Sequence, residues 1–408
     1  MPHTDNGQRA RSVASPGDGR VQALVERIHA NLEAHPRQDA PTVGVEHELF
    51  LLKGLCPASI DEANAFFECV AAHAPAGANT IEGRRGVERI ELLRADGRYT
   101  VIKFEYEPHL IEVASTWHRS LTSLEVDLQD ALLRVEDAAK DVGLLASSRP
   151  SLDLPLNDER LAPTTDRLRA LEHSRVVAMQ RRLRRDTTAA RFTATMAATQ
   201  VQVGGLDWWR TPSILTDLHR LEPEFMGLTH VPGFACGEPR SRWKAYRDVF
   251  EGMPLLGHAL DRSWSMEWWA AGLLASPLVG GPDAPWAGWP ASELSAWPFA
   301  AWEDFLHAVR DLQAIRPRLF GTVEFRSDPA QPDLGTIMSV AALRFASCLA
   351  VHASAFEDDL PSISEAHSSW WSGPPSECVP EKRLTQLARV LGSRGLREER
   401  YLRRWLSP

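Results

Sequence analysis

The stretch Val43–Leu52 reads VGVEHELFLL, and it is the part of the chain that decides the fold. Its alternation of polar and apolar residues has a period of two, which is typical of a β-strand. Successive side chains of a strand point to opposite faces, so Glu46 and Glu48 share one face, while Val45 and Leu49 share the other. Two carboxylates on one strand face can hold neighbouring cations.

The same pattern recurs at three later places in the chain. The residues that share a polar face there are Glu105 and Glu107, followed by Glu112; Gln200 and Gln202; and Glu324, Arg326 and Asp328. Any one of these strands is read most simply as a half-buried strand with a solvated face. Together they favour a shared polar cavity, because Glu and Gln are not favoured strand residues and clustered carboxylates repel unless cations neutralise them.

Oxygen ligands from Glu and Gln suit hard cations, which indicates Mg²⁺, with Mn²⁺ as the alternative. Zinc is not indicated, because the histidines show no HExxH or similar spacing and no cysteine pair is CxxC. A carboxylate-rich magnesium site commonly serves a polyphosphate. The chain has no Walker motif and no GxGxxG after a strand, so ATP would be held by metals and arginines.

The composition of the chain argues against several classes of function and location. The 408 residues carry a formal net charge of -9, which argues against a general nucleic-acid partner. The five cysteines are an odd number at wide spacings, which predicts a reducing, cytoplasmic location. The N-terminus has no apolar signal region, and no run approaches the ~18 apolar residues of a membrane span. The oligomeric state is left open.

The order of the patterns predicts an α+β protein with a mainly antiparallel sheet, because strands and helices do not alternate as regular βαβ units. Apolar spacing predicts a helix over Leu121–Val142, capped by Ser115 or Thr116, and further helices over Ala300–Ile315 and Gly335–Ala355. The stretch Glu357–Glu377 is predicted to be a loop. Residues 1–18 are polar and punctuated by Gly and Pro, and are predicted to be a disordered tail.

Removing this tail is expected to leave activity unchanged. A chain beginning near Arg20 loses no periodic apolar face and therefore no part of a packed core. Turnover of the truncated and full-length proteins can be compared once circular dichroism shows that both are folded. A folded truncated protein with reduced turnover would contradict this prediction.

Several of these segments resemble glutamate–cysteine ligases of the plant and proteobacterial type. Val43–Leu52 resembles their opening strand, and TATMAATQVQV at Thr193–Val203 resembles their Gln-x-Gln/Asn strand. Ala301–Asp328, which ends in VEFRSD, resembles their block of alternating charged residues that contains Glu-x-Arg-x-x-Asp. Ser241–Leu256 lies where that family has an arginine-bearing helix. The order and rough spacing agree over about residues 21–400.

The resemblance implies a fold of the glutamine synthetase-like superfamily. This is a curved, mainly antiparallel sheet that forms a bowl or funnel, with helices outside and with nucleotide and metals inside. It also implies that residues 19–408 form a single ligase-like catalytic domain.

The resemblance assigns roles position by position. The metal ligands are Glu46, Glu48, Glu112 and Glu324, with Glu105 a weaker candidate beside Glu112; Gln200 and Gln202 touch metal and nucleotide; Arg326 contacts nucleotide; Glu324 and Arg326 are catalytic; Arg247 and Arg175 bind the substrate carboxylate. The sequence departs from the family at Glu107–Ile111, His230–Phe234 and Ser327–Gln331, segments that shape the substrate pocket in relatives. The acid and the amine therefore stay open.

The function that the resemblance implies is ATP-dependent amide formation between a small-molecule amino acid or other carboxylate and an amine. It would proceed through an acyl phosphate, with Mg²⁺. Two alternatives remain: phosphoryl transfer to a guanidino or other nitrogen, and a non-catalytic binding protein derived from such an enzyme.

Replacing Glu324 by Gln is expected to keep or raise the stability of the protein, because carboxylates repel one another. The same replacement is expected to lower turnover by about 100-fold or more.

Overall fold

The structure of the protein is a computed structural model that describes most of the chain from residue 19 onward. The described ranges are 19–35, 39–83, 86–105, 107–154, 158–159, 170, 173–174, 177, 194–229, 262–280, 283–295, 297–300, 302–309, 313–356, 360–372, 381–393 and 398–406. The predicted tail 1–18, Arg175 and Arg247 lie outside these ranges, so their assignments stay predictions.

Within these ranges, ten strands form one sheet. They are β1 (Thr42–Lys53), β2 (Cys56–Pro57), β3 (Asn79–Gly83), β4 (Gly86–Leu93), β5 (Tyr99–Phe104), β6 (Leu110–Ala114), β7 (Leu145–Ser147), β8 (Thr199–Gly204), β9 (Ile315–Pro317) and β10 (Val323–Phe325). Eight of them run side by side in the order β3-β4-β5-β6-β1-β8-β10-β9, and the short β2 and β7 pair with β1. Every pairing is antiparallel.

The helices are distributed unevenly among the strands along the chain. They are α1 (Gly19–Ala34), α2 (Ile60–Ala72), α3 (Leu121–Asp141), α4 (Ser213–Thr229), α5 (Met266–Ala275), α6 (Trp302–Ala308), α7 (Leu334–His352), α8 (Ile363–Ser372), α9 (Glu381–Ser393) and α10 (Arg403–Leu406). Helices α2, α3 and α7 pack against the sheet, on β4, on β1 with β5 and β6, and on β8 with β1. The predicted α+β class with an antiparallel sheet is confirmed.

One face of the sheet carries apolar side chains that belong to the hydrophobic core. The side chains that β1, β6, β8 and β10 bury there are Val43, Val45, Leu49, Leu51, Ile111, Val113, Val201, Val203, Val323 and Phe325. Burial of this apolar surface stabilises the sheet at about 25 cal/mol per Å². The period of two then sends the intervening side chains to the opposite face, where the polar residues gather.

Three local predictions are wrong. Ile315 begins β9, so the helix predicted over Ala300–Ile315 shrinks to α6, and the loop predicted over Glu357–Glu377 contains α8. The cap of α3 is Ser120, whose hydroxyl accepts from the backbone N–H of Ser123, because the chain stays extended beyond Ser115 and Thr116. Helix ends depend on the backbone conformation of single residues, which apolar spacing does not report.

Helix α7 is long and apolar enough to cross a membrane if length and composition alone are judged. However, 89% of the most apolar 18-residue segment of this helix is buried inside the protein. The core helix of a soluble protein has the same length and composition, so this helix alone is weak evidence for a membrane span.

Candidate functional site

The polar face of the sheet gathers the acidic and amide residues singled out in the sequence. In the pairing of β1 with β6, Glu48 lies opposite Glu112. In the pairing of β1 with β8, Glu46 lies opposite Gln200. Gln202 lies opposite Glu324 where β8 pairs with β10. Residues distant in sequence thus become neighbours across four adjacent strands.

Two glutamine amides hold the two carboxylates of β1. Gln200 Nε2 donates to Glu48 Oε1 at 2.9 Å, and Gln202 Nε2 donates to Glu46 Oε1. Both bonds join diagonal neighbours on antiparallel strands, which lie within reach of long side chains. An amide orients a carboxylate without neutralising it, so the negative charge stays available for a cation.

Glu48, Glu105 and Glu112 come close enough to share one ion. One oxygen of each carboxylate lies within 4.8 Å of the others. Glu48 and Glu112 are buried. Lys103 Nζ lies 3.1 Å from Glu112 Oε1 and 3.5 Å from Glu105 Oε2. We call Glu46, Glu48, Glu105 and Glu112 the carboxylate cluster.

The electrostatics of the carboxylate cluster favour added positive charge. Burial raises the pKa of Glu112 well above its usual range, and the charges of Glu46 and Glu105 raise it further. Burial also raises the pKa of Glu46, with a further contribution from Glu324. Burial lowers the pKa of Lys103, but the attraction of Glu112, Glu105 and Glu46 outweighs it, so the net shift is upward. A bound divalent cation would relieve the repulsion among the carboxylates.

Glu324 has different surroundings, made of three guanidinium groups. Its carboxylate accepts from Arg316 Nη2 at 2.6 Å, from Arg318 Nη1 at 3.0 Å and from Arg326 Nη1 at 3.4 Å. Burial raises the pKa of Glu324, but the three arginines outweigh it and lower the pKa to about 2. We call Arg316, Arg318 and Arg326 with Glu324 the arginine cluster.

Sequence reasoning missed Lys103, Arg316 and Arg318. The signal for the two arginines was present, since they stand two residues apart, as polar residues of one strand face do. Their partner became visible only in the pairing of β9 with β10, where Arg316 lies opposite Glu324.

The carboxylate and arginine clusters adjoin on one face. Glu46 stands between them, because its carboxylate senses the charges of Glu324 and Arg318 on one side and of Lys103 and Glu105 on the other. The carboxylate cluster offers an all-oxygen donor set, which fits hard divalent cations such as Mg²⁺. Glu324 contacts guanidinium groups in the structure, and its assignment as a metal ligand stays a prediction.

A buried ionic network involves the residues that follow Arg326 in the chain. Arg344 of α7 donates through Nη1 to Glu222 Oε2 at 2.5 Å and through Nη2 to Asp328 Oδ1 at 2.7 Å. All three side chains are fully buried. Ser327 also donates its hydroxyl hydrogen to Glu222. The network ties the chain that follows β10 to helices α4 and α7, two residues beyond Arg326.

The prediction that Asp328 shares the polar face with Glu324 and Arg326 is therefore wrong. Strand β10 ends at Phe325, and the alternation of faces is lost after Arg326, which still contacts Glu324. Asp328 accepts from Arg344 instead, because the desolvated guanidinium offers a stronger partner than water. The sequence contained one indication of this contact, because Arg344 is the single arginine inside the apolar helix α7.

No protein-family model and no curated protein matches the sequence. Solved structures that are similar at low identity include the three that follow. A bifunctional glutathione synthetase from Pasteurella multocida matches over 94% of this chain and 48% of its own, at 10% identity and a TM-score of 0.47. A glutamate–cysteine ligase from Francisella tularensis in complex with AMP matches over 91% and 82%, at 11% identity and a TM-score of 0.45.

The third is the ligase PafA, in a complex with the prokaryotic ubiquitin-like protein Pup. It matches over 90% of this chain and 61% of its own, at 10% identity and a TM-score of 0.36. The chain thus spans about half the length of the glutathione synthetase and over four-fifths of the glutamate–cysteine ligase. At TM-scores below 0.5, these similarities do not establish an activity for this chain.

Proposed function

We propose that the protein is an ATP-dependent carboxylate–amine ligase that forms an amide bond with the help of Mg²⁺ or Mn²⁺. The observation that carries the proposal is the adjacency of the carboxylate and arginine clusters on one sheet face. A surface with acidic oxygens beside guanidinium groups matches a nucleotide whose phosphates need both metal and Arg partners. We further propose that residues 19–408 are one catalytic domain whose sheet curves into a glutamine synthetase-like bowl around this site.

The carboxylate cluster would bind the metal. Glu46 and Glu48 are held by the amides of Gln202 and Gln200, so their oxygens keep one orientation. Glu112, with Glu105 beside it, supplies oxygens from the neighbouring strand segment. When bound, the metal ions neutralise charge on the transferring phosphate.

The arginine cluster would bind the phosphoryl group that is transferred. Arg326, with Arg316 and Arg318, offers planar donors for phosphate oxygens, and such donors act most strongly in a site that excludes water. Glu324 orients the three guanidinium groups before a nucleotide arrives, so less ordering is needed on binding. The substrate carboxylate would attack the γ-phosphorus of ATP, with ADP as the leaving group, to give an acyl phosphate. The amine would then attack the carbonyl carbon, expel inorganic phosphate and lose a proton, which leaves the amide.

The proposed substrates are a glutamate-like amino acid or another small carboxylate, together with a small amine. Arg247 and Arg175 are the residues proposed for the carboxylate, since arginine suits bidentate carboxylate recognition. Both lie outside the described residues, so this part rests on the sequence. The altered segments around Glu107–Ile111 and His230–Phe234 favour an amine other than cysteine.

The test crosses a panel of amino acids with a panel of amines in the presence of ATP and Mg²⁺. The expected result is substrate-dependent release of ADP and phosphate, with a product one water lighter than the two substrates combined. Glu112→Gln should lower the turnover by about 100-fold or more, whereas Glu88→Gln, which replaces an exposed glutamate on β4, should leave it unchanged. A stable phosphorylated substrate without free phosphate would replace the ligase by a phosphotransferase. A folded protein that hydrolyses no ATP with any pair would refute catalysis.

Magnesium affinity is expected to rise with pH. Burial raises the pKa values of the Glu46 and Glu112 carboxyls in the folded protein, so these carboxyls hold protons to a higher pH than ordinary carboxyls do, and a metal competes with those protons. Isothermal calorimetry in buffers of different ionisation enthalpy should therefore detect protons released on Mg²⁺ binding, and fewer of them as the pH increases. Binding without proton release at mildly acidic pH would place the metal elsewhere.

A further inference from the structure

A second group of ligand atoms lies outside the polar face, where helices α2 and α3 end side by side. Cys69 is in the last turn of α2, His73 follows that helix as its cap, and Asp141 is the last residue of α3. Cys69 Sγ lies 3.8 Å from His73 Nδ1 and 3.9 Å from Asp141 Oδ2. His73 Nδ1 lies 3.8 Å from Asp141 Oδ2, which closes the triangle.

The triangle has nearly the size of one face of a tetrahedral zinc site. Bond lengths of about 2.3 Å to sulfur and about 2.0–2.2 Å to nitrogen and oxygen give ligand–ligand edges of about 3.3–3.6 Å. The three observed distances of 3.8, 3.9 and 3.8 Å exceed these edges by a few tenths of an ångström. Small side-chain rotations would therefore bring thiolate, imidazole and carboxylate onto one ion.

The positions of the three residues also favour a cation. The C-terminal end of a helix carries partial negative charge, and here two such ends converge. The carboxylate of Asp141 adds a full negative charge at the end of α3, where a cation would be favoured. Arg134 of α3 ties the end of α2 to α3, because its Nη1 donates to the carbonyl oxygen of His73 at 3.1 Å. Its Nη2 donates at 3.1 Å to Asp130, one turn earlier on its own helix.

We propose that Cys69, His73 and Asp141 form a binding site for zinc or a similar borderline divalent cation. The fourth position faces solvent, since more than half of the His73 and Asp141 side chains is exposed. The site ties α2 to α3, and it is independent of the ligase proposal. The sequence did not predict this site, because Asp141 follows Cys69 by 72 residues, a spacing that belongs to no zinc motif.

Cobalt substitution tests the proposal in the reduced full-length protein. One equivalent of Co²⁺ should produce the near-ultraviolet thiolate-to-cobalt charge-transfer band, and Zn²⁺ should abolish it. The band reports sulfur ligation, so cobalt bound to the carboxylate cluster does not produce it. Cys69→Ser should remove the band and His73→Ala should weaken Co²⁺ binding by at least about 10-fold. Cys56→Ser, which replaces an exposed cysteine, and Glu112→Gln should leave the band unchanged.

Thiol protection provides a readout without variants. Zn²⁺ should slow alkylation of Cys69 by iodoacetamide, as followed by peptide mass spectrometry, and should not slow that of Cys56. Equal rates at Cys69 with and without stoichiometric Zn²⁺ would overturn the proposal. So would a charge-transfer band that persists in Cys69→Ser or disappears in Cys56→Ser.

Discussion

Replacing Glu324 by Gln is expected to destabilise the protein, whereas the same replacement at Glu112 is expected to leave its stability unchanged or increase it. Glu324 is the shared acceptor of three guanidinium groups. Its neutralisation leaves three positive charges with a weaker partner, which typically costs about 1–3 kcal/mol or more. Glu112 instead lies among like charges, so neutralisation relieves repulsion. The structure thus corrects the sequence-based expectation that Glu324→Gln holds or raises stability.

Urea unfolding of the two variants, with Glu88→Gln as the surface control, measures this contrast. The pH dependence adds a second check. The folded-state pKa of Glu324 is about 2, below the ordinary value of 4.5, so its stabilising contribution is present above pH 4.5 and is lost as pH falls toward 2. The difference in unfolding free energy between wild type and Glu324→Gln should shrink over that window. If this difference in unfolding free energy does not change with pH, Glu324 does not act as the charged acceptor of the three arginines.

Turnover should fall in both variants, for different reasons. Glu112→Gln removes a negative charge from the carboxylate cluster, and Glu324→Gln releases Arg316, Arg318 and Arg326 from their common acceptor. Loss of one such electrostatic element typically lowers turnover by about 100-fold or more. Raising the Mg²⁺ concentration should partly rescue Glu112→Gln and should not rescue Glu324→Gln. If either variant keeps the turnover of the wild type, the residue replaced in that variant is not part of the site.

Replacing Arg344 by Met should cost about 3–5 kcal/mol of unfolding free energy, the range for breaking a fully buried ion pair by removing one partner. The guanidinium of Arg344 bonds both Glu222 and Asp328, and all three side chains are inaccessible to solvent. Without it, two buried carboxylates face each other. Arg389→Met, at an exposed position on α9, is the matched control and should change stability by less than about 0.5 kcal/mol.

The loss caused by Arg344→Met should depend on pH. Burial raises the pKa of Glu222 to about 7 even though Arg344 opposes that rise. In the variant the pKa rises further, so protonation of Glu222 relieves the buried charge as pH falls. A raised carboxyl pKa contributes stability that is full below the unfolded value and lost as pH increases through the folded value. The destabilisation should therefore be smaller at pH 5 than at pH 8, and an equal loss at both would contradict this account.

Local geometry explains what the sequence determined by itself. The period of two in Val43–Leu52 placed Glu46 and Glu48 on one face, and the same argument placed Gln200 with Gln202. These face assignments hold because alternation is a property of a single extended backbone and needs no knowledge of its partners. The antiparallel α+β class was predicted separately, from the order of strand and helix patterns along the chain.

The tertiary structure alone decided which strands became neighbours. Pairing of β9 with β10 surrounded Glu324 with arginines, and pairing of β5 and β6 next to β1 brought Glu105 and Lys103 to Glu112. Burial turned Asp328 away from the polar face toward Arg344, and helix packing placed Asp141 beside Cys69 and His73. Each of these contacts joins separate elements. Which elements meet depends on packing of the whole core, which no local pattern encodes.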